Sequence, residues 1–493
     1  MNGAPSTGRG VAKPRLRQLA KDERGRQAQA EAWQSPGSVS WQKKNGAPSA
    51  GRGVAKPRLR QLAKDERGAK RRQTETNAIR DGSAERLCGS VCFMGRMMEQ
   101  VERQPVSLYL HIPFCVRKCR YCDFLSGPAK EEEKTQYLAA LAREIKGAGK
   151  ILSRDGREVD TIFFGGGTPT LLSAKEIGHL MFLLSLCFRI RSDAEITMEC
   201  NPGTADFEKL SALRDMGINR LSIGVQSFHD RELSLLGRIH TKEEALHCIE
   251  SARRAGFANL NLDLMSALPG QTYESWMDNL KTAVSCEPEH LSCYSLIMEE
   301  GTPFFRMQQR GKLPPLPSDE EDRRMYHDTK SFLASFGYVR YEISNYAKPG
   351  FSCLHNEGYW TGHEYLGLGS GAASLYQNVR FSNTRDFGAY CRAFQEGEPA
   401  FDTDVCAGGT KTYERVTRED AMSEFCFLGL RRMDGISLSA FRKRFDRDFL
   451  EVFGEPVKKH TEEGLLARDG DTIFLTDRGI DISNYVLCDF LLT

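Results

Sequence analysis

The chain has 493 residues, enough for two or three domains, and 40% of them are hydrophobic against 27% charged. Its net charge of +2 conceals a division, because residues 1–93 hold 20 Lys and Arg against 8 Asp and Glu, whereas residues 94–493 hold 48 against 58. The acidic bulk argues against a nucleic-acid-binding core, and the absence of any run of about 18 apolar residues predicts no membrane span. The 15 cysteines are odd in number and form no repeating framework, which favours the reducing cytoplasm and free or metal-bound thiols.

The first 93 residues contain a duplicated unit of 24 residues. Residues 2–25 return as residues 45–68, and only Thr7 against Ala50 differs. Two copies are too few for a solenoid, and the unit is rich in Gly, Pro and Arg, so residues 1–93 are predicted to be a disordered basic tail. The tail could bind polyanions. It could equally be a recent duplication, or translated sequence upstream of a true start at one of three methionines: Met94, Met97 and Met98.

Buried strands alternate with amphipathic helices from residue 105 to about residue 340. Six strands are predicted at 106–112, 161–167, 195–200, 219–225, 259–265 and 290–296. Helices are predicted between them at 131–148, 173–187, 205–216, 241–256 and 273–286. This alternation is typical of parallel βα units, and six of them predict an α/β fold with a partial (β/α)6 barrel. In such barrels the site lies at the C-terminal ends of the strands.

Two further regions follow the predicted barrel. Residues 341–409 form an extension rich in Gly, Tyr and Asn near its start, with a linker predicted at 396–412. Residues 410–493 show helical patterns at 418–431, 438–446 and 448–464 and then a hairpin turning at Asp469-Gly470 or Asp471. Three helices and a hairpin predict a small helical, winged-helix-like C-terminal domain. It has no dense basic stretch, which favours a structural or interaction role over DNA binding.

Three cysteines stand in a C-x3-C-x2-C pattern directly after the first predicted strand: Cys115, Cys119 and Cys122. Three thiolates could hold three irons of a [4Fe–4S] cluster and leave the fourth iron open for chemistry. Zinc with a distant fourth ligand, or ordinary buried cysteines, are the alternatives that the spacing leaves open.

The stretch YLHIPFCVRKCRYCDF (109–124) resembles the radical S-adenosylmethionine (SAM) superfamily. Within it, the chain resembles the oxygen-independent coproporphyrinogen III oxidase-like family and its heme chaperone branch of the HemW type, from about Val106 to the C-terminus. The resemblance implies that the methionine amine and carboxylate of SAM chelate the open iron of the cluster. It also implies an electron donor for that cluster.

The same resemblance implies a SAM site built from several strand ends. Gly166, Gly167 and Thr168 lie in FFGGGTPTLL. Its glycines have no side chains, so the backbone there can approach a ligand closely. The other implied SAM contacts are Tyr109, Tyr121, Glu199, Gln226, Arg238 and Asp263. Ordinary polar capping at strand ends is the alternative for each residue taken singly.

Two features distinguish the branches of the resembled family. Phe124 stands where the oxidases carry a further cysteine, which puts coproporphyrinogen decarboxylation in doubt. The motif H-N-x-x-Y-W resembles one that the chaperones carry and that is associated with heme, and it implies heme contacts at His355, Asn356, Tyr359 and Trp360. Cys353 is a second candidate axial ligand. Alternatively, His355 is a hydrogen-bonded loop histidine and Trp360 a core residue.

The resemblance therefore predicts a cytoplasmic heme chaperone that binds one [4Fe–4S] cluster, SAM and heme and passes heme to an acceptor such as a respiratory hemoprotein. One departure from the family is Ala373, which stands where members often have histidine. The alternatives are a radical SAM coproporphyrinogen III dehydrogenase and a non-enzymatic Fe–S regulator that uses the C-terminal domain on DNA.

Overall fold

The computed structural model describes residues 104–394 and 410–492. The predictions for residues 1–93 and for most of the linker at 396–412 lie outside the described residues. Six parallel strands form the centre of the sheet, and each matches a predicted one: β1 (Val106–Ile112), β2 (Glu158–Gly166), β3 (Arg189–Cys200), β4 (Arg220–Gln226), β5 (Leu260–Ser266) and β6 (His290–Ser295). The predicted α/β fold with a partial (β/α)6 barrel is confirmed.

The helices that follow these strands begin at residues suited to capping. Ser173 accepts a hydrogen bond from the Glu176 backbone N–H, and the Glu176 carboxylate accepts one from Ser173 N–H in return. Thr241 and Glu244 form the same pair. The helices are α1 (Glu131–Arg154), α2 (Ala174–Cys187), α3 (Phe207–Asp215), α4 (Asp230–Leu236), α5 (Lys242–Arg254), α6 (Tyr273–Ser285), α7 (Pro303–Gln309) and α8 (Asp319–Ala334).

The extension after the barrel continues the same sheet at both edges, which the sequence patterns did not predict. Its elements are β7 (Val339–Arg340), β8 (Asn345–Ala347), α9 (Leu354–Thr361), β9 (Tyr365–Leu368), β10 (Ala373–Tyr376), β11 (Val379–Asn383), α10 (Phe387–Ala393) and β12 (Thr410–Arg415). The strand order is β12-β11-β10-β9-β1-β2-β3-β4-β5-β6-β8-β7. The prediction of a linker through residue 412 is therefore wrong at 410–412, which pair with β11 as the start of β12.

A buried carboxylate ties this extension to the barrel. Glu144 on α1 is 1% exposed. It accepts hydrogen bonds from the Gly369 backbone N–H (2.8 Å), the Asn383 amide (2.5 Å) and the Tyr390 hydroxyl (2.6 Å). Burial raises the pKa of Glu144 to about 7, although these three donors act in the opposite direction.

The C-terminal domain has its own core. It comprises β13 (Ile436–Ser437), β14 (Leu466–Asp469), β15 (Thr472–Leu475), α11 (Arg418–Gly429), α12 (Leu438–Phe445), α13 (Phe449–Glu462), α14 (Asp477–Asp481) and α15 (Ser483–Cys488). The three predicted helices and the predicted hairpin are confirmed. The patterns missed β13, whose two residues pair with β15. Buried phenylalanines from α12 and α13 fill much of this core, including Phe441, Phe449 and Phe453. No helix in residues 104–394 or 410–492 is long and apolar enough to cross a bilayer.

Candidate cluster and ligand site

One cavity of about 440 Å³ lies inside the curved sheet. All six parallel strands contribute to its lining, for example through Tyr109, Phe163, Glu199, Gln226, Asp263 and Tyr294. Every residue predicted for the cluster or SAM lines this same cavity, as do the four residues of the H-N-x-x-Y-W motif, whereas Cys353, the second candidate heme ligand, does not line it. The fold thus brings together side chains that are up to about 250 positions apart in the sequence.

The loop that carries the three cysteines is anchored at its start. The Cys115 N–H donates to the Gly127 carbonyl, and the Gly127 N–H donates to the Pro113 carbonyl, both at 2.9 Å. Two donors approach the sulfurs: Thr168 Oγ1 lies 3.8 Å from Cys115 Sγ, and Arg238 Nη1 lies 3.7 Å from Cys119 Sγ. Polar donors and a guanidinium beside sulfur suit thiolate ligands, whose negative charge they stabilise.

Three thiols on one short loop that lines the cavity are a donor set that a [4Fe–4S] cluster can use. Among the described residues, no group of three or more His, Cys, Asp and Glu side chains is arranged to hold one ion. A four-iron cluster attaches each cysteine to a different iron, so its ligands need not converge on one point. Burial raises the pKa of Cys122 to about 11 in the absence of a ligand. A bound cluster therefore has to displace protons from this loop.

The glycine loop after β2 has a packing role that the sequence did not reveal. A Cβ on Gly167 would lie 2.6 Å from the Phe114 carbonyl oxygen, and one on Gly166 would lie 2.5 Å from the His111 ring. Gly166 also has φ +113°, in the region that favours glycine. The Gly167 N–H and Thr168 N–H donate to the carbonyls of Ile112 and Phe114, at 2.8 and 2.7 Å. These glycines hold the ends of β1 and β2 together directly below the cysteine loop.

Two half-buried carboxylates face the same part of the cavity. Glu199 Oε2 accepts a hydrogen bond from the Gly166 N–H (3.0 Å). Burial, and then the nearby Asp263, raise the pKa of Glu199 to about 8. Asp263 accepts hydrogen bonds from Asn261 (2.8 Å) and Ser222 (3.2 Å), and burial raises its pKa as well. This end of the cavity can therefore stabilise a cationic ligand.

Arg238 and Gln226 lie at neighbouring positions, and hydrogen bonds hold both side chains. Arg238 Nη2 donates to the Gly224 carbonyl (2.6 Å) and to Asn201 Oδ1. Gln226 has φ +67°, a conformation that costs a non-glycine residue about 1–3 kcal/mol. Its Oε1 accepts a hydrogen bond from the Tyr294 hydroxyl (2.9 Å). Backbone strain at a strand end beside a cavity is a common property of binding sites.

Sequence reasoning missed two residues of this network, Asn201 and Tyr294. Asn201 donates to Thr168 Oγ1 (2.7 Å) and accepts from Arg238, so it joins the glycine loop to the arginine. Its position directly after the third strand, in ECNPG, was the available signal. Tyr294 lies near the end of β6, where the same rule about strand ends applies.

The H-N-x-x-Y-W motif lies on α9, toward the N-terminal ends of the strands. Glu195 on β3 accepts hydrogen bonds from the N–H groups of Leu354 and His355, at 3.0 and 3.1 Å. His355 is 2% exposed. Its Nδ1 is hydrogen-bonded with Thr161 Oγ1 (2.7 Å) and its Nε2 with the Tyr359 hydroxyl (3.0 Å). Burial lowers the pKa of His355 to about 3, which keeps the ring neutral.

Trp360 of the motif lines this end of the cavity, and Cys353 lies directly before α9. Trp360 is 5% exposed, and the Arg431 guanidinium lies 4.8 Å from its ring centroid. Cys353, the other candidate axial ligand, is fully buried, and its Sγ lies 3.5 Å from Glu195 Oε1. At the opposite end, Phe124 is 50% exposed and lines the cavity beside the cysteines.

Two family models match the chain. The Radical SAM superfamily matches residues 109–283, and the HemN C-terminal domain matches residues 416–482. Among solved structures, coproporphyrinogen III oxidase (HemN) from Escherichia coli, a radical SAM enzyme, is similar with a TM-score of 0.68. It is 28% identical, and the match covers 79% of this chain and 90% of that one.

Two curated relatives cover most of the described chain. The heme chaperone HemW of Bacillus subtilis (strain 168) is 37% identical over 387 residues, which are 78% of this chain and 99% of that protein. The heme chaperone HemW of Lactococcus lactis subsp. lactis (strain IL1403) is 34% identical over 390 residues, 79% of this chain and 98% of that protein. With matches of this identity along nearly the whole of both relatives, the chain belongs to the heme chaperone HemW family of the radical SAM superfamily.

Proposed function

We propose that this protein is a cytoplasmic heme chaperone that binds heme, one [4Fe–4S] cluster and SAM and transfers heme to an acceptor such as a respiratory hemoprotein. One observation carries the proposal: the cysteine loop and the H-N-x-x-Y-W helix line the same cavity from opposite ends of its strands. The relatives that match the chain along most of their length are named heme chaperones.

At the cysteine end, Cys115, Cys119 and Cys122 hold the cluster, and Arg238 and Thr168 donate to the sulfurs. When bound, the cluster supplies an open iron for SAM and an electron, received from a donor protein, for cleaving it. The residues implied for SAM contacts line this end, and Glu199 is the carboxylate that we propose for its amine.

Anaerobic reconstitution with iron and sulfide tests the cluster end. The wild-type protein is expected to hold about four irons per chain, and a variant with all three cysteines changed to alanine none. Cys187→Ala, on α2 and outside the cavity lining, is the matched control and should retain the iron. Full iron content in the triple variant would overturn the assignment.

At the other end, His355 is the proposed heme ligand, because its neutral imidazole is the form that binds iron. Ligation through Nε2 requires the hydrogen bond with Tyr359 to open, since Nδ1 is already bonded with Thr161 in the interior. Tyr359 and Trp360 offer flat surfaces to a macrocycle once α9 moves. The chaperone thus has to exchange an internal hydrogen bond for an iron bond.

Heme titration followed by absorbance tests the heme end. His355→Ala should weaken binding and change the Soret spectrum, whereas Tyr359→Phe should retain or strengthen binding because it frees Nε2. His179→Ala, an exposed histidine on α2, is the control. If His355→Ala leaves affinity and spectrum unchanged, His355 is a packed core residue and another group binds heme.

A second candidate function is oxygen-independent coproporphyrinogen III dehydrogenase. The structural similarity to the Escherichia coli oxidase favours it. Phe124, in place of the further cysteine of the resembled oxidases, argues against it. Anaerobic turnover with reductant, SAM and coproporphyrinogen distinguishes the two: protoporphyrinogen formation would establish the oxidase, and we expect none.

A further inference from the structure

Arg220 is a buried cation with no partner of its own. It is the first residue of β4, is 2% exposed and lines the cavity. Among the described residues its guanidinium makes no hydrogen bond and no ion pair, and its buried Nε has no partner. Burying an unpaired charge costs several kcal/mol in effective terms. Such a side chain is retained more readily when a ligand completes its hydrogen bonds.

The acidic groups near Arg220 stabilise its charge without pairing with it. Burial opposes the charge, but Cys353, Glu195, Tyr341 and Asp263 act in the other direction, so that the pKa of Arg220 is raised. The oxygens of Glu195 accept from backbone N–H groups at the start of α9, and those of Asp263 accept from neighbouring side chains. The oxygens of both nearby carboxylates therefore already accept hydrogen bonds from groups other than Arg220.

Three further polar atoms of the cavity lining lack partners. Trp360 Nε1, Asn345 Oδ1 and Arg238 Nε are buried, belong to residues that line the cavity, and have no hydrogen bond in the described part of the chain. Arg238 lies at the cysteine end, so the unpaired N–H donors at the Arg220 end are those of the Arg220 guanidinium and the Trp360 indole. Donors of this kind match a ligand oxygen that carries negative charge.

The position of Arg220 separates it from the cysteine end. β4 runs from Arg220 to Gln226, and six steps of about 3.3 Å put these two residues about 20 Å apart. A SAM molecule whose carboxylate chelates iron at the cysteine loop cannot also place that carboxylate at Arg220. His355 and Cys353 lie at the Arg220 end, where the proposed heme would bind.

We infer that Arg220 binds a carboxylate of the ligand at this end of the barrel, and that this carboxylate is a propionate of the bound heme. The identification of the ligand rests on the proposed heme-binding function. The planar guanidinium can bind a carboxylate through two parallel hydrogen bonds, which would orient the macrocycle toward His355. Arg220 is then a determinant of heme orientation and of selectivity for a tetrapyrrole with free propionates.

The test compares hemin with hemin dimethyl ester, whose propionates carry no charge. Both are titrated into cluster-loaded wild-type protein, Arg220→Met, Arg220→Lys and a control, Arg191→Met, at an exposed arginine of β3. Wild type and Arg191→Met should bind hemin about tenfold more tightly than the ester. Arg220→Met should lose this preference while its affinity for the ester stays unchanged, and Arg220→Lys should retain part of it.

Each other outcome has a distinct meaning. Equal wild-type affinity for hemin and ester would overturn the role of Arg220 and leave the proposed function intact. Failure of wild type to bind either would overturn the proposed function, and the inference with it. If Arg220→Met weakens both ligands equally, the residue is structural, and if SAM affinity alone falls, the carboxylate belongs to SAM. Should Arg220→Met not fold, the ester comparison in wild type and Arg220→Lys still decides the question.

Discussion

Glu199 is the residue whose ionisation state should control SAM affinity. It lies half-buried at the cysteine end of the cavity, and its pKa is raised to about 8, first by desolvation and then by Asp263. A protonated Glu199 can still accept a hydrogen bond, but it offers no charge to the amine and sulfonium of SAM. We therefore expect SAM to bind preferentially to the form in which Glu199 is ionised.

The expected change in SAM affinity with pH follows from the pKa of Glu199. Below pH 8 the ionised fraction falls about tenfold for each pH unit, so at pH 7 ionising Glu199 costs about 1.4 kcal/mol of binding free energy. SAM affinity should rise by about tenfold between pH 6 and pH 7, by about fivefold between pH 7 and pH 8, and level off above pH 8. Because SAM is expected to prefer the ionised form of Glu199, the loss of affinity lies on the acid side of this pKa.

Glu199→Gln provides the comparison, because its amide oxygen can still accept from the Gly166 N–H while it does not titrate. SAM affinity is measured by calorimetry across this pH range for the cluster-loaded wild type and the variant, and their ratio cancels the titration of SAM itself. Glu208→Gln, exposed on α3, is the control. A ratio that does not change with pH would refute the reasoning.

Three further predictions concern other parts of the chain. Because burial raises the pKa of Glu144 to about 7, the contribution of its protonated form to stability is lost as pH rises through that value. In urea unfolding between about pH 4.5 and pH 8, the unfolding free energy of the wild type should fall by about 3 kcal/mol relative to that of Glu144→Gln. Parallel pH profiles of the two proteins would contradict this. Gly167→Ala places a Cβ against the Phe114 carbonyl, so it should lower the unfolding free energy by about 1–3 kcal/mol and reduce iron content. Gly454→Ala, with no atom within 4 Å of the added Cβ, should change neither quantity. Phe124→Cys keeps the three cluster cysteines, so its iron content should equal that of the wild type, and a changed cluster would argue that the fourth position takes part in ligation.

The strands of the barrel could be predicted because each is a continuous apolar run followed by an amphipathic helix. The predicted strand at 219–225 differs from β4 (Arg220–Gln226) by one residue at each end. The extension was missed for a physical reason. Its strands have two to six residues, and β9 (Tyr365–Leu368) is held by pairing with β1, about 250 residues earlier. Pairing at that separation leaves no local periodicity to detect.

The candidate site was predictable as a set of residues but not as a network. The motifs indicated the cysteines, the glycine loop and the strand-end side chains, and all of them line one cavity. No pattern indicated that Gly167 faces the Phe114 carbonyl, or that Asn201 joins Thr168 to Arg238. These contacts depend on which side chains the curvature of the sheet brings together, and sequence spacing does not encode that curvature.

The two ends of the cavity share strand β3 (Arg189–Cys200). Glu195 on this strand accepts from the first N–H groups of α9, and Glu199 accepts from the Gly166 N–H at the cysteine end. Four steps of about 3.3 Å separate the two carboxylates by about 13 Å, and groups at such distances with no shared partner usually contribute additively. The SAM test at Glu199 and the heme test at His355 are therefore independent, and a failure of one proposed ligand would leave the evidence for the other unchanged.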